Sequence, residues 1–198
     1  MARANSRPSP TPTPTPAGAD ESRLSTLQIV CWVVGAALLF WVVGAYNRLV
    51  GLRGAIVRQF APVDEQFRLR HALLHEQLEA LAPLLGDTGP TLDALNAACR
   101  QAEAACSYAK LRPGSTGAIA SLRLAEEILN EARARLAAQL PAGIDPQELG
   151  TRLTATDTTL AFARRQFNDA VLEYNHAVNQ FPTALIVSLF GFKAAGTL

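Results

Sequence analysis

The chain has 198 residues and a formal charge of +1, with 18 basic against 17 acidic side chains. That length holds one ordinary domain with extensions, and the near-neutral balance argues against a nucleic-acid binder, which would carry a basic surplus on one face. Aromatic residues are 7% of a composition that is 49% hydrophobic, so Ala, Leu and Arg do much of the filling, as in an all-α protein.

Residues 1–23 carry the run Pro8 to Pro16, in which proline alternates with Ser and Thr. Such a stretch lacks backbone donors and apolar surface, and reads as a disordered, partly polyproline-II tail. Residues 24–46 then contain no charge at all. At about 1.5 Å per residue a helix of this length exceeds the roughly 30 Å hydrocarbon core of a bilayer, so the segment is expected to span a membrane. Trp32, Trp41 and Tyr46 would help anchor it, with Arg23 and Arg48 bracketing it. A cleaved signal peptide with Val43-Gly44-Ala45 at its end is the rival reading, and the long proline-rich leader makes a poor start for one. A buried core helix would rarely run this long uncharged. Arg48, Arg53 and Arg58 follow the span, against Arg23 close on the other side, which leans the C-terminal part towards the cytoplasm.

Residues 47–182 are helical in pattern. A first helix leaves the span with Leu49, Leu52, Ile56, Phe60, Val63, Phe67, Leu74, Leu78, Leu81 and Leu85 at spacings near three and four, and a kink is expected at Pro62. After Gly86 to Pro90, a second helix shows Leu92, Leu95, Cys99, Ala102, Cys106 and Ala109 on one face. Cys99 and Cys106 are two turns apart, too far for a disulfide, and neither they nor Cys31 form a CxxC pair. A third helix carries Leu122, Ala125, Leu129, Ala132 and Leu136. The fourth opens at Asp145, Pro146 and Glu148, an aspartate form of the capping box. In it Leu153, Leu160, Phe167, Tyr174 and Phe181 recur every seventh residue, beside the smaller series Leu149, Thr156, Ala163, Ala170 and Ala177. Pro182 stops the helix, and residues 183–198 form an apolar tail. The expected fold is all-α, a transmembrane helix continuing into an antiparallel four-helix bundle with coiled-coil-like packing.

Particular residues add a resemblance. Tyr46-Asn47-Arg48-Leu49-Val50, then Asp64, Arg68, Arg70 and His71, and later Phe167-Asn168, Tyr174-Asn175 and Phe181-Pro182 with Phe190-Gly191-Phe192, stand in the order of the LemA family, which the chain resembles at roughly 40–80 and 160–192. Residues 85–150 offer no such match. The chain departs from the family in reading Leu73 to Leu78 where a LIPNLV-like stretch is usual, and Phe167 where Tyr is usual. The resemblance implies a bacterial inner-membrane protein with one N-terminal span and a helical bundle, usually drawn with the short N-terminus outside the cytoplasm. It supplies no reaction.

The bundle offers few patterns that carry chemistry. A di-iron carboxylate site needs two ExxH motifs, and Glu173 to His176 is the single one here. His71, His75 and Glu79 fall at i, i+4 and i+8 and are the candidates for a metal set. No GxSxG, phosphate-loop or GxGxxG motif occurs. The expectation is therefore a protein that is not an enzyme and needs no cofactor, a scaffold or interaction module whose partners are the lipid bilayer and an unidentified protein or a second copy. The alternative is a metal-binding or envelope-stress accessory enzyme using His71, His75 and Glu79.

Geometry gives three further expectations. The first and fourth helices outrun the second and third, so the membrane-proximal part should be a two-helix stalk whose bare face, Ile56, Val57, Val171 and Val178, is the interface. With ends aligned, residues of helices one and four whose numbers sum to about 229 lie level, which places Asp64 with Arg164 and Arg165, and Arg53 and Arg58 with Glu173. The tail either inserts Phe190 and Phe192 into the bilayer interface, with Lys193 at the headgroups, or packs on the stalk.

Overall fold

The computed structural model describes residues 18–83, 89–139 and 147–198. Of the disordered tail expected at 1–23, residues 1–17 fall outside them, as do the capping residues Asp145 and Pro146, while 18–23 are helical and belong to the first helix. Among the described residues the backbone forms five helices and no strand: α1 Gly18–Leu81, α2 Gly89–Leu111, α3 Thr116–Gln139, α4 Gln147–Asn179 and α5 Thr183–Phe190. The chain divides into two units, Met1–Gly44 and Ala45–Leu198.

In the first unit the apolar side chains face outward: Leu27, Trp32, Leu39 and Phe40 are all exposed. Its apolar window is 0% buried, and α1 is long and apolar enough to cross a membrane. Apolar surface left in water is disfavoured by about 25 cal/mol per Å², a penalty that a hydrocarbon surrounding removes.

In the second unit α1 continues through Pro62 without ending. Two apolar clusters form its interior. One gathers Leu49, Ile56, Phe60, Val63 and Phe67 of α1 with Ile119 and Leu122 of α3 and Leu160, Phe167, Val171 and Tyr174 of α4. The other holds Leu74 and Leu81 with Leu95, Cys99 and Ala102 of α2, Leu129 and Leu136 of α3, and Leu153. The faces read from the three-four spacing of α2 and α3 are the buried ones, with Leu92 and Ala132 half-buried at their margins. Both Cys99 and Cys106 lie in the interior. Between α2 and α3, Arg112 N–H donates to Ala109 O and Ser115 N–H to Arg112 O, and Ser115 Oγ accepts from Ala118 N–H at 3.4 Å, supplying an acceptor to the first turn of α3.

Contacts that climb α1 descend α4. Phe60 meets Phe167 edge-on with centroids 5.5 Å apart, Arg70 meets Asp157 at 2.8 Å, and Glu76 meets Arg152 at 3.4 Å. These pairs sum to 227 or 228, within two of the register expected from aligned ends. The partners expected at that register are different. Asp64 turns to α2, where Lys110 Nζ lies 2.8 Å away, while Arg164 turns to Glu126 at 3.3 Å. A shared height does not decide which of two neighbouring helices a side chain faces.

The expected stalk is not bare. Ile56, Val171 and Val178 are buried, and of the four proposed interface residues only Val57, 54% exposed, is open. The reason is the tail: Val187, Phe192, Ala195 and Leu198 pack on this cluster, and Ile119 and Leu122 reach it from α3. Phe181 is also displaced from its expected core position. Helix α4 ends at Asn179, so the seven-residue series is cut before it and Phe181 is 78% exposed.

Phe167, fully buried, and Phe181 therefore make opposite predictions although both belong to one heptad series. Phe167→Ala should destabilise the second unit by about 3–5 kcal/mol, and Phe181→Ala by no more than about 0.5 kcal/mol, in urea unfolding of the detergent-solubilised chain. Equal effects would contradict the end of the heptad at Asn179.

Candidate functional site

Charged side chains concentrate where the two apolar clusters meet. The spacing of Phe67 and Leu74 on α1 carries Arg70 and His71 onto the buried seam, and Leu122 and Leu129 do the same for Glu126 on α3. Arg70, His71 and Glu126 are each only 3% exposed. A guanidinium so far from water must be paired. Arg70 Nη1 donates to Glu126 Oε2, and Nη2 donates to Asn130 Oδ1 at 2.6 Å. Its Nε lies 2.8 Å from Asp157 Oδ1 on α4, an ionic contact without hydrogen-bond alignment.

Two more arginines close the network. Arg164 pairs with Glu126 and lies over the Phe67 ring at 5.0 Å, and Arg133 approaches Asp157 at 3.5 Å. His71 Nε2 is 3.6 Å from Glu126 Oε1, and neither atom makes a hydrogen bond among the described residues. Burial pushes the Glu126 carboxyl up, but neighbouring His71 and the charges of Arg70 and Arg164 outweigh it and hold the carboxyl below its ordinary 4.5.

A cleft of about 690 Å³ lies beside this network and is lined by Asp64, Arg68, His71, His75, Glu103, Cys106 and Lys110 among others. Its charges are spent on one another. Asp64 receives Arg68 at 2.5 Å and Lys110 at 2.8 Å, and His75 meets Glu103 at 3.0 Å. Burial works to raise the Asp64 carboxyl, and the bonds from Lys110 and Arg68 more than reverse it, leaving it below 3.8. The Cys106 thiol, 3.7 Å from Asp64, is pushed up to about 12 by burial and by that carboxylate. Cys99 is pushed up to about 11, by burial and then by Glu103. Thiols held so far from ionisation are poor nucleophiles.

The metal candidates are dispersed by the same contacts. His71 faces Glu126, His75 faces Glu103, and Glu79 is exposed. Among the described residues no group of three or more His, Cys, Asp or Glu side chains is placed to hold a metal ion. Glu173 and His176 are both exposed.

The paired asparagines of α4 have a different task. Asn168 Nδ2 donates to Leu198 O at 2.9 Å and its Oδ1 accepts from Leu198 N–H at 2.9 Å. Asn175 holds Ala195 in the same two-bond way, at 2.9 and 2.8 Å, and Tyr174 donates to Lys193 O at 3.0 Å. Gly196 sits so close to α3 that a Cβ there would lie 3.0 Å from Thr116 Cα. Of the remaining motif residues, Leu49 is buried, Tyr46 packs against Phe190 and Phe192, and Asn47, Val50 and Pro182 are exposed.

Glu126, Asn130 and Asp157 were not among the residues singled out from the sequence, and Arg164 was singled out only as level with Asp64. A signal was available for Glu126, since it stands four residues after Leu122 and three before Leu129, on the apolar face. Charged residues at seam positions are what a buried network looks like in one dimension.

Because the Glu126 carboxyl is held below its unfolded value, its contribution to stability is present above about pH 4.5 and is lost as pH falls through the lower folded value. Glu126→Gln should flatten this acid limb and lower stability at neutral pH by about 3–5 kcal/mol, because three arginine side chains lose a shared partner or neighbour. Unfolding measured between neutral and acid pH checks both. Asn175→Ala should cost about 1–3 kcal/mol by leaving the Ala195 N–H and C=O unpaired, and an unchanged midpoint would show that the tail does not depend on them.

The family model described as "LemA family" matches residues 59–198, including the 85–150 stretch that motifs alone left unmatched and beginning after Tyr46 to Val50. No curated protein matches the chain.

Proposed function

Because the chain belongs to the LemA family over residues 59–198, we propose that it is a single-pass membrane protein whose second unit is an antiparallel four-helix bundle with coiled-coil-like packing, serving as a non-catalytic scaffold or protein-interaction module. One observation carries the reading. The polar groups that could do chemistry, in the network around Arg70 and in the cleft around Asp64, are engaged with one another across helices, where they serve cohesion rather than a ligand.

The surface is where such a protein would act. Leu69 on α1, Leu124 and Ile128 on α3 and Phe162 and Leu172 on α4 are large apolar side chains at the solvent boundary. Arg48, Arg53 and Arg58, close after the apolar run, favour a cytoplasmic bundle, and the family resemblance favours a bacterial inner membrane.

Photo-crosslinking residues at Leu124 and Phe162 in the membrane-embedded chain should each give one discrete product, either a second copy or one partner protein. Metal analysis of the purified full chain and of His75→Ala tests the enzyme alternative. Stoichiometric metal that disappears with His75, together with no crosslinked product, would replace the scaffold reading with the metal one.

A further inference from the structure

Helix α5, Thr183–Phe190, has two unlike faces. Ile186 is buried and Val187 packs on the core below it. On the other side Leu185 is 65%, Leu189 77% and Phe190 50% exposed. Leu185 and Leu189 stand one turn apart and therefore share a face. The helix holds no charged residue, and its only polar side chains are the hydroxyls of Thr183 and Ser188.

The position of this face is fixed by Tyr46. Its ring lies 5.2 Å from that of Phe190 and 5.9 Å from that of Phe192. Tyr46 directly follows Ala45, where the apolar run ends. The chain passes from one unit to the other between Gly44 and Ala45, so Tyr46 is the second residue of the second unit. If the apolar stretch crosses a bilayer, the exposed face of α5 is therefore held one aromatic contact from the point where the chain leaves it.

Charge agrees with position. Between Tyr46 and Val63, and again from Tyr174 to Leu198, the sequence contains no Asp or Glu. The same stretches carry Arg48, Arg53, Arg58 and Lys193, all exposed. Gly191, at φ 68°, ends the helix in the left-handed conformation, and Phe192 N–H returns to Val187 O at 3.2 Å. The chain then leaves α5 along α4, so Phe192 packs on the core and only the α5 face stays open.

We propose that α5 is a second membrane contact: a short interfacial helix that seats Leu185, Leu189 and Phe190 at the boundary between headgroups and acyl chains, with Arg48, Arg53 and Lys193 meeting anionic headgroups. It extends the membrane-anchored reading and rests on it. The tail thus divides between the two fates expected from its sequence, with Phe190 at the lipid and Phe192 on the protein.

The test uses the full chain with Cys31→Ser, since Cys99 and Cys106 are buried and unreactive. Single cysteines at Leu39, Leu124 or Leu189 receive a nitrobenzoxadiazole label, and the protein is reconstituted in phosphatidylcholine vesicles with and without phosphatidylglycerol. Nitroxide lipids should quench most of the emission at 39 and at 189, with a blue shift, and leave 124 unchanged. Quenching at 189 should rise with phosphatidylglycerol. Quenching at 39 but not at 189 overturns the inference alone, and failure at 39 overturns the membrane anchor together with it. A label at 189 shielded from iodide but untouched by nitroxide lipid overturns it in favour of a protein on that face. Indifference to phosphatidylglycerol overturns the role of the basic residues.

Discussion

The buried guanidinium of Arg70 is the constraint around which the second unit is organised. It cannot be left in an apolar interior unpaired, and its partners lie on different helices: Glu126 and Asn130 on α3, Asp157 on α4. Apolar packing alone would not choose the relative height of these helices. The series Leu153, Leu160, Phe167, Tyr174 repeats every seventh residue, so sliding α4 by seven would present much the same surface to its neighbours. The same slide would carry Asp157 about 10 Å from Arg70 and take Arg164 away from Glu126. A buried pair contributes little net stability compared with an apolar substitute, whereas breaking one is expensive. The network is therefore better understood as selecting a register than as raising stability.

Periodicity made most of the fold legible, because burial of one stripe per helix is a one-dimensional signal. It revealed the buried faces of α2 and α3, while the assumption of aligned helix ends came within two residues of the height at which Phe60 meets Phe167. It did not reveal which neighbour a side chain faces. Asp64 and Arg164 do lie close in height, but Asp64 looks to Lys110 and Arg164 to Glu126, a matter of angular position around each axis. Nor did it reveal the buried charges, because charged residues are ordinarily solvated and Arg70 declares itself only through its place between Phe67 and Leu74.

Packing of the tail on the stalk was one of the two expected fates, and what stayed hidden, for a related reason, was how it is held. A segment held by side-chain amides has no hydropathy period, so residues 194–198 read only as small or apolar apart from Thr197. The motif asparagines were visible in the sequence as a family trait, but their chemistry was not. A carboxamide offers one donor and one acceptor side by side, the complement of one residue's N–H and C=O.

The spacing of those asparagines shows why the arrangement takes the form it does. Asn168 and Asn175 are two helical turns apart, about 10.5 Å along α4. Ala195 and Leu198 are three residues apart, and extended chain covers about 10 Å in three residues. Two carboxamides on one face of a helix thus meet the backbone of the segment at two points three residues apart, and order fixes direction. Asn175 takes Ala195 and Asn168 takes Leu198, so the segment runs against α4, away from the end where α5 begins. Such bonds read backbone and not side chain, leaving sequence to be set by space: Gly196 by its approach to Thr116, Ala195 by its burial. The segment in turn covers Val171 and Val178 and braces the core beneath α5, so the support for the proposed lipid-facing helix comes from residues that touch no lipid.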